Sequence, residues 1–387
     1  MASDKVGLRE RSGMTAVREV LVVGGGLGGL SAAIALTDAG CSVHLVEQAM
    51  HWSALGAGLT FNGATARAFK SLGVLDRVVE AGYVHGSSDI CDKDGNVLSP
   101  GSDEPVYGPG VPVSGGILRP VLHAILQQAF SSRSIRCSVG TTVASWDEGA
   151  DGITARLSDG SSQRYDLVVA ADGLMSSTRR TIFPHAPSPT FTGQGAWRAI
   201  APRPPEVTTS KLYLGGRHKA GINPVSDDQM YLFLLVNATG NPRHADEDLP
   251  GLLKEALADY GGHVAQVREG LGERSHILYR PLETLVMPKP WNVGRILLIG
   301  DAAHATTPHV GYGAGLAMED GVILGELVRA GLDAVELPTV FTERRYDRCA
   351  AVVEGSVELG ELEMAQAPIA DQTALYSRIY AKVRETA

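Results

Sequence analysis

Residues Glu19–Glu47 read EVLVVGGGLGGLSAAIALTDAGCSVHLVE, and this stretch decides the fold. It opens on Val20–Val23, an apolar, β-branched run that suits a buried parallel strand. Gly24, Gly26 and Gly29 follow in G-x-G-x-x-G spacing. The spacing of Leu30, Ala33, Ile34 and Leu36 predicts a helix, which Gly40 ends. Ser42–Val46 reads as a second strand, and Glu47 closes it roughly 20 residues past the glycines.

Each part has a physical task. Gly24 permits the tight strand-to-helix turn. Gly26 has no Cβ, so a pyrophosphate can approach the backbone, and Gly29 lets helix and strand pack closely. The helix start offers free N–H groups and a positive dipole end to phosphates. Glu47 is placed to accept hydrogen bonds from ribose hydroxyls, so FAD or NAD fits better than NADP. A lone glycine fingerprint is weak, but strand, helix and terminal acid together point to a dinucleotide.

The chain has 387 residues, enough for two domains with sizeable cores. Its net charge of −9 leaves no basic footprint for nucleic acid. Cys41, Cys91, Cys137 and Cys349 are scattered without metal spacing, which suits free thiols in a reducing cytoplasm. No apolar run approaches the roughly 18 residues of a membrane span. Met1–Ala16 is polar, lacks a signal-peptide core and reads as a floppy extension.

Further along, residues 51–63 read as a Gly/Ala-rich loop, and Asn62–Leu72 and Leu75–Ala81 as helices. His85–Leu98 reads as a hairpin around Asp94-Gly95, and Arg119–Phe130 as a helix. Thr141–Leu157 and Gln163–Ala171 supply strands. In the middle, Ala196–Ala201, Lys211–Gly215 and Met230–Val236 predict an antiparallel sheet. Leu249–Tyr260 reads as a helix, Arg295–Ile299 as a buried strand and Gly313–Leu332 as a helix, and the rest is mostly helical.

Two later stretches return to strand ends, where α/β sheets bind ligands. Tyr165–Arg180 reads YDLVVAADGLMSSTRR, and Gly294–Asp320 reads GRILLIGDAAHATTPHVGYGAGLAMED. Asp301 can accept a bond from a ribityl hydroxyl. Gly311, Gly313 and Gly315 open a helix whose N-terminus suits the flavin N(1)–C(2)=O locus.

Through three ordered motifs the chain resembles the single-component FAD-dependent aromatic hydroxylases of the para-hydroxybenzoate and salicylate hydroxylase type. Urate hydroxylases and zeaxanthin-epoxidase-like enzymes are relatives of that group. The motifs are Gly24-x-Gly26-x-x-Gly29, Asp172-Gly173 with Ser176 and Arg179, and Gly300-Asp301-Ala302-Ala303-His304 with Pro308. The resemblance covers about Glu19 to Arg348. It implies an α/β fold: a Rossmann-like FAD-binding domain with an inserted antiparallel β-sheet substrate domain and C-terminal helices. The expected FAD-binding domain is 15–84, 104–185 and 285–335, the substrate domain 85–103 and 186–284, and the helical segment 336–387.

The resemblance implies a cofactor site of Gly24, Gly26, Leu27, Gly28, Gly29, Glu47, Gln48, Arg119, Val143, Asp172, Asp301, Gly311, Gly313, Ala314 and Gly315. It places Pro308 beside the reacting ring; His309 after it either faces the substrate or is a solvent-exposed loop histidine, and Tyr312 stands beside the isoalloxazine. Many relatives have G-Q-G where this chain has Gly311-Tyr312-Gly313, so a phenol replaces an amide beside the isoalloxazine. Trp197, Arg198, Tyr213, His218, Asn223 and Tyr231 lie on the predicted sheet; Arg198, Tyr213, His218 and Tyr231 are the expected substrate contacts. His304 reads as structural, and Glu319 and Asp320 as the polar face of a helix. No metal cluster is readable.

The implied reaction is hydroxylation of a small aromatic or heteroaromatic ring through a C(4a)-hydroperoxyflavin. NADH or NADPH, which has no second fingerprint here, would bind transiently as reductant, and O₂ would be the co-substrate. The alternatives are an FAD-dependent dehydrogenase or reductase without oxygen transfer, and a non-catalytic flavin-binding protein. The expected setting is a cytoplasmic monomer or homodimer with no nucleic-acid or membrane partner.

Overall fold

In the computed structural model the fingerprint stretch forms strand Glu19–Val23, helix Leu27–Asp38 and strand Ser42–Glu47. The structure describes residues 17–387 apart from 53–55, 105–106 and 241, so the expectation for Met1–Ala16 lies outside the described residues. The fingerprint strand sits inside a six-stranded sheet, parallel except at one edge. It pairs with Leu167–Ala170 on one side and Ser42–Glu47 on the other. Strand Ile296–Leu298 follows beyond Leu167–Ala170. The strands that lead into Gly24, Asp172 and Asp301 are therefore neighbours, and their C-terminal ends share one rim.

Two helices pack against each other in step, the first of them on this sheet. Leu27–Asp38 and Gly313–Arg329 run parallel, with Gly28 against Ala317, Ala32 against Gly321 and Ala35 against Gly325. A Cβ on Gly321 would lie 2.5 Å from Ala32 N, and one on Gly325 would lie 2.8 Å from Ala35 O. The two backbones touch, and both helix N-termini point at the same rim. This explains why the first helix is buried almost all round rather than along one stripe.

A seven-stranded sheet forms a second layer with its own hydrophobic cluster. Its order is Ile277–Thr284, Thr190–Pro202, Gln229–Asn237, Lys219–Pro224, Lys211–Tyr213, Asp89–Cys91 and Val97–Ser99. The pairing is antiparallel throughout, except that Lys211–Tyr213 runs parallel to Asp89–Cys91. Alternation sets its two faces. Trp197, Ala199, Tyr213, Ala220, Ile222, Leu232 and Leu234 face helices Leu249–Ala256 and Gly262–Gly270. Arg198, Lys219, Asn223, Tyr231 and Phe233 occupy the alternate positions, on the opposite face. Asn223 Nδ2 donates to Thr60 Oγ1 there at 2.8 Å.

Two local expectations change, and the C-terminal segment is helical as expected. The loop predicted over 51–63 contains strand Gly58–Asn62, which pairs with Ser114–Leu118. The helix predicted to Tyr260 stops at Ala256, and a separate helix starts at Gly262, whose φ of +55° breaks continuity. The C-terminal segment is a helical hairpin, Glu336–Met364 and Ile369–Arg384. Among the described residues no helix is long and apolar enough to cross a membrane.

The touching backbones give a direct test. Gly321→Ala is expected to lower stability by about 1–3 kcal/mol through overpacking, despite its gain in helix propensity. Gly251→Ala, on an exposed helix where an added Cβ meets nothing within 4 Å, is expected to raise it by about 0.5–1 kcal/mol. Urea unfolding midpoints of both variants check the contrast.

Candidate active site

The floor of the site is built from the three strand ends. Gly24 adopts φ +104°, and a Cβ there would sit 2.4 Å from Ala171 O. A Cβ on Gly29 would fall 1.9 Å from Gly24 O, so only glycine allows this closeness of helix and strand. At Gly26 and Gly311 an added Cβ would meet nothing within 4 Å. Neither Leu27–Asp38 nor Gly313–Arg329 has a side-chain cap at its N-terminus. Unsatisfied N–H groups from two parallel helices therefore face one open floor.

Glu47 ties this floor together. Its carboxylate accepts from Gly25 N at 2.7 Å and Ala49 N at 2.8 Å. Thr141 N donates to Glu47 O at 2.9 Å, which brings Val143 to the same edge, and Gln48 is exposed beside it. Ser176 caps the short helix Ser177–Ile182, accepting from Arg179 N at 2.8 Å, and Asp172 accepts from Ser176 Oγ and from Thr178 N at 3.0 Å. Arg179, fully buried, donates to Leu174 O at 2.6 Å and Ala302 O at 2.9 Å. This side chain bolts the second motif to the third, a link no local sequence signal displays.

Asp301 is the open acid of the floor. It keeps accessible surface, yet protein surrounds it closely enough that burial pushes its carboxyl above the usual range, with His304 and Arg119 opposing. That combination describes a deep cleft rather than an outer surface. Arg119 lies in the same field: burial lowers its guanidinium, Asp301 opposes and Arg198 adds to the lowering. Tyr231 is the diagonal neighbour of Arg198 on the same sheet face, and burial pushes its hydroxyl up with Arg198 opposing. The structure thus brings Arg119, Asp301, Arg198 and Tyr231 together between the two layers.

Other expected contacts are corrected. Tyr213 is fully buried on the far face of the sheet, because it pairs with Ala220 and strand alternation aims both away from the cleft. His218 sits in the turn beside Tyr260, its N–H 3.2 Å from the phenol oxygen. Its imidazole is lowered by burial and by Arg217, with Asp259 opposing, and it lies on that same far side. Tyr312 turns its ring inward: its hydroxyl donates to Glu319 Oε1 at 3.0 Å and accepts from Arg348 Nη2 at 3.2 Å. The residue is buried as a whole, so its phenol is not a contact in the cleft.

His309 is buried behind Pro308. Nδ1 lies 2.8 Å from Thr307 Oγ1 and Nε2 3.4 Å from Glu363 Oε2. Burial, then Lys219, pushes it down to about 3, so it is neutral at ordinary pH. The ring secures the turn, in which Pro308 stays partly open.

Glu319 and Asp320 are not a solvated face. Both are buried, with Arg345 Nη1 2.7 Å from Glu319 Oε2 and Arg345 Nε 2.8 Å from Asp320 Oδ1. Arg348 Nε adds a contact to Glu319 at 2.9 Å. Asp320 also accepts from Gly300 N at 2.8 Å and pairs with His304 Nε2 at 2.7 Å. Burial disfavours charge on His304, but Cys349 and Asp320 outweigh it and raise the imidazole well above its usual range. His304 is structural, as its motif suggests.

An open Gly26, an open Gly311, two uncapped helix ends and an accessible acid fit a bound FAD. Residues 18–356 match the FAD binding domain family. The aurachin C monooxygenase/isomerase of Stigmatella aurantiaca is 31% identical, over 89% of this chain and 89% of its own length. The 2-heptyl-3-hydroxy-4(1H)-quinolone synthase of Pseudomonas aeruginosa is 30% identical, over 90% of each chain. The crystal structure of Klebsiella pneumoniae HpxO complexed with FAD and uric acid shares the fold, with a TM-score of 0.80 at 23% identity, covering 96% of this chain and 93% of that one. The chain belongs to the FAD binding domain family. Within it, this protein is an FAD-dependent oxidoreductase of the monooxygenase class.

Two outcomes are expected. Asp301→Ala keeps its fold but loses on the order of 1.5–3 kcal/mol of FAD affinity, one charge-assisted bond, measured by flavin fluorescence titration. For His309, a folded value of about 3 against an ordinary 6.5 means stability is present above 6.5 and is lost as pH falls toward 3. Between pH 7 and 5 the wild type is expected to lose on the order of 2 kcal/mol more than His309→Gln, read from urea midpoints at the two pH values.

Proposed function

We propose that this monooxygenase hydroxylates a small aromatic or heteroaromatic molecule bound between the Pro308 turn and the near face of the seven-stranded sheet. The observation that carries the reading is the shared neighbourhood of Asp301, Arg119, Arg198 and Tyr231: cofactor-side and roof-side groups meet in one cleft between two layers. The quinolone and uric acid in the names of similar proteins are nitrogen heterocycles, which supports a flat ring as substrate.

Gly24–Gly29, Glu47, Arg119, Asp301 and Gly311–Gly315 would hold FAD. When bound, FAD supplies the redox chemistry, taking electrons from NADH or NADPH and activating O₂. The chain's own groups do the rest. The two helix N-termini stabilise negative charge on phosphate and ring. Arg198, beside Tyr231 on the near face, orients what lies beneath the sheet. Phe233 and the neighbouring strands exclude water, which limits wasteful decay of reactive oxygen. Neutral His309 holds the Pro308 turn without adding a cation to the cleft. Four unpaired cysteines support a cytoplasmic setting, as a monomer or homodimer.

A cleft open to water until a ring fills it favours reduction only when substrate is present. Anaerobic stopped-flow bleaching of the flavin by NAD(P)H is expected to accelerate when a turnover substrate is added. Labelled O₂ is then expected to place one labelled oxygen in the product. Label that stays out of the product would move the assignment to a dehydrogenase or reductase.

A further inference from the structure

The floor and the roof of the cleft are joined by a third element, the C-terminal helical hairpin. Its residues from 357 onward lie beyond the family match, which ends at 356. Glu363, on its first helix, reaches both partners at once. Lys219 Nζ of the roof lies 2.6 Å from Glu363 Oε1, and His309 Nε2 of the floor turn lies 3.4 Å from Glu363 Oε2. Gly360, one turn earlier, keeps the helix tight against this joint: a Cβ there would sit 2.6 Å from Gln194 Oε1 and 3.0 Å from His309 Nε2.

The second helix of the hairpin makes its own tie. Leu375, Ile379 and Val383 are its buried face, with Ile379 seated on Gly355 of the first helix. The adjoining face carries Tyr376 and Tyr380, stacked at 4.5 Å with 24° between ring planes. Tyr380 donates to Val310 O at 3.1 Å, immediately after Pro308 and His309. Tyr376 therefore stands beside the floor turn at one ring's thickness from a group bonded to it.

Tyr376 keeps 38% of its surface open, whereas Val310 beside it is 2% exposed. Tyr376 is thus an accessible aromatic ring held, through Tyr380, next to the turn that carries Pro308.

We propose that the C-terminal hairpin is the third wall of the substrate site and that Tyr376 is its specificity-determining residue, taking the flat face of an aromatic or heteroaromatic ring. This rests on the reading of the cleft as a flavin hydroxylase site. Tyr380 fixes the height of Tyr376 over the floor turn. Glu363, paired with Lys219, fixes the hairpin against the roof, and Gly360 lets the same helix close on His309 of the floor turn. An offset ring stacked on Tyr376 gains the contact and quadrupole terms that a puckered molecule of equal size lacks.

The test uses FAD-loaded protein carrying Tyr376→Cys in a Cys137→Ser background, since Cys137 is the exposed cysteine. The new thiol is alkylated with N-ethylmaleimide while the visible flavin band is followed. Alkylation is expected to shift that band. Quinolin-4-ol or uric acid, at about ten times its dissociation constant, is expected to slow labelling about tenfold by mass action. Decahydroquinolin-4-ol, the puckered counterpart of the first probe, is expected to protect less at equal concentration. Labelling that leaves the flavin band unmoved, or protection by neither flat ring, overturns the proposal, as does equal protection by the puckered ring. Protein that holds no FAD overturns the hydroxylase reading as well. Protein that holds FAD and fails the labelling arms overturns the hairpin proposal alone.

Discussion

The site depends on one contact: two parallel helices whose backbones touch. Gly28, Ala32 and Ala35 meet Ala317, Gly321 and Gly325, and nothing larger fits between them. Because the helices run parallel and in step, their free N–H groups open on the same floor. A single helix N-terminus is a common anion site. Two in register, flanked by Gly24, Asp172 and Asp301 from adjacent strand ends, make a floor long enough for a dinucleotide.

The second helix needs support that the first does not. Leu27–Asp38 lies between sheet and helix with apolar residues, whereas Gly313–Arg329 carries Glu319 and Asp320 into the interior. Those carboxylates are held by Arg345, Arg348 and His304, and both are lowered by these partners against a burial penalty. A buried network of this kind adds little net stability over an apolar core, but removing one member leaves an unpaired charge at a cost of about 3–5 kcal/mol. Its effect is to fix position: Asp320 also holds Gly300 N, so the hairpin's arginines set the height of the Asp301 turn. The C-terminal hairpin thus bears on the Asp301 turn through its arginines and on the Pro308 turn through Tyr380.

Much of the floor was legible in the sequence because its signals are local. Strand, glycines, helix and Glu47 are contiguous, and the glycine requirements at Gly24 and Gly29 are steric facts of one turn. Asp301 was readable for the same reason. The roof was legible only as a sheet. Which residues face the cleft depends on strand phase, and a strand as short as Lys211–Tyr213 does not fix its phase, so Tyr213 was placed on the wrong side. Tyr312 and Glu319 were misread because their partners, Arg345 and Arg348, lie some way along the chain on another helix, and no spacing rule reports such a pairing. Glu363 and Tyr376 carried no signal at all: one long helix followed by a turn looks the same whether or not it folds back over a cleft. Lys219 had a faint one, its alternation with Asn223 across the strand.

The central claim is that both helix N-termini hold the same ligand. Amide hydrogen exchange of residues 24–30 and 311–316, followed with and without FAD, tests it most directly. The expected result is protection of both segments at the same FAD concentration, with the same dissociation constant. Protection of the first segment alone, with exchange at 311–316 unchanged, would contradict it and leave the second helix without a part in cofactor binding.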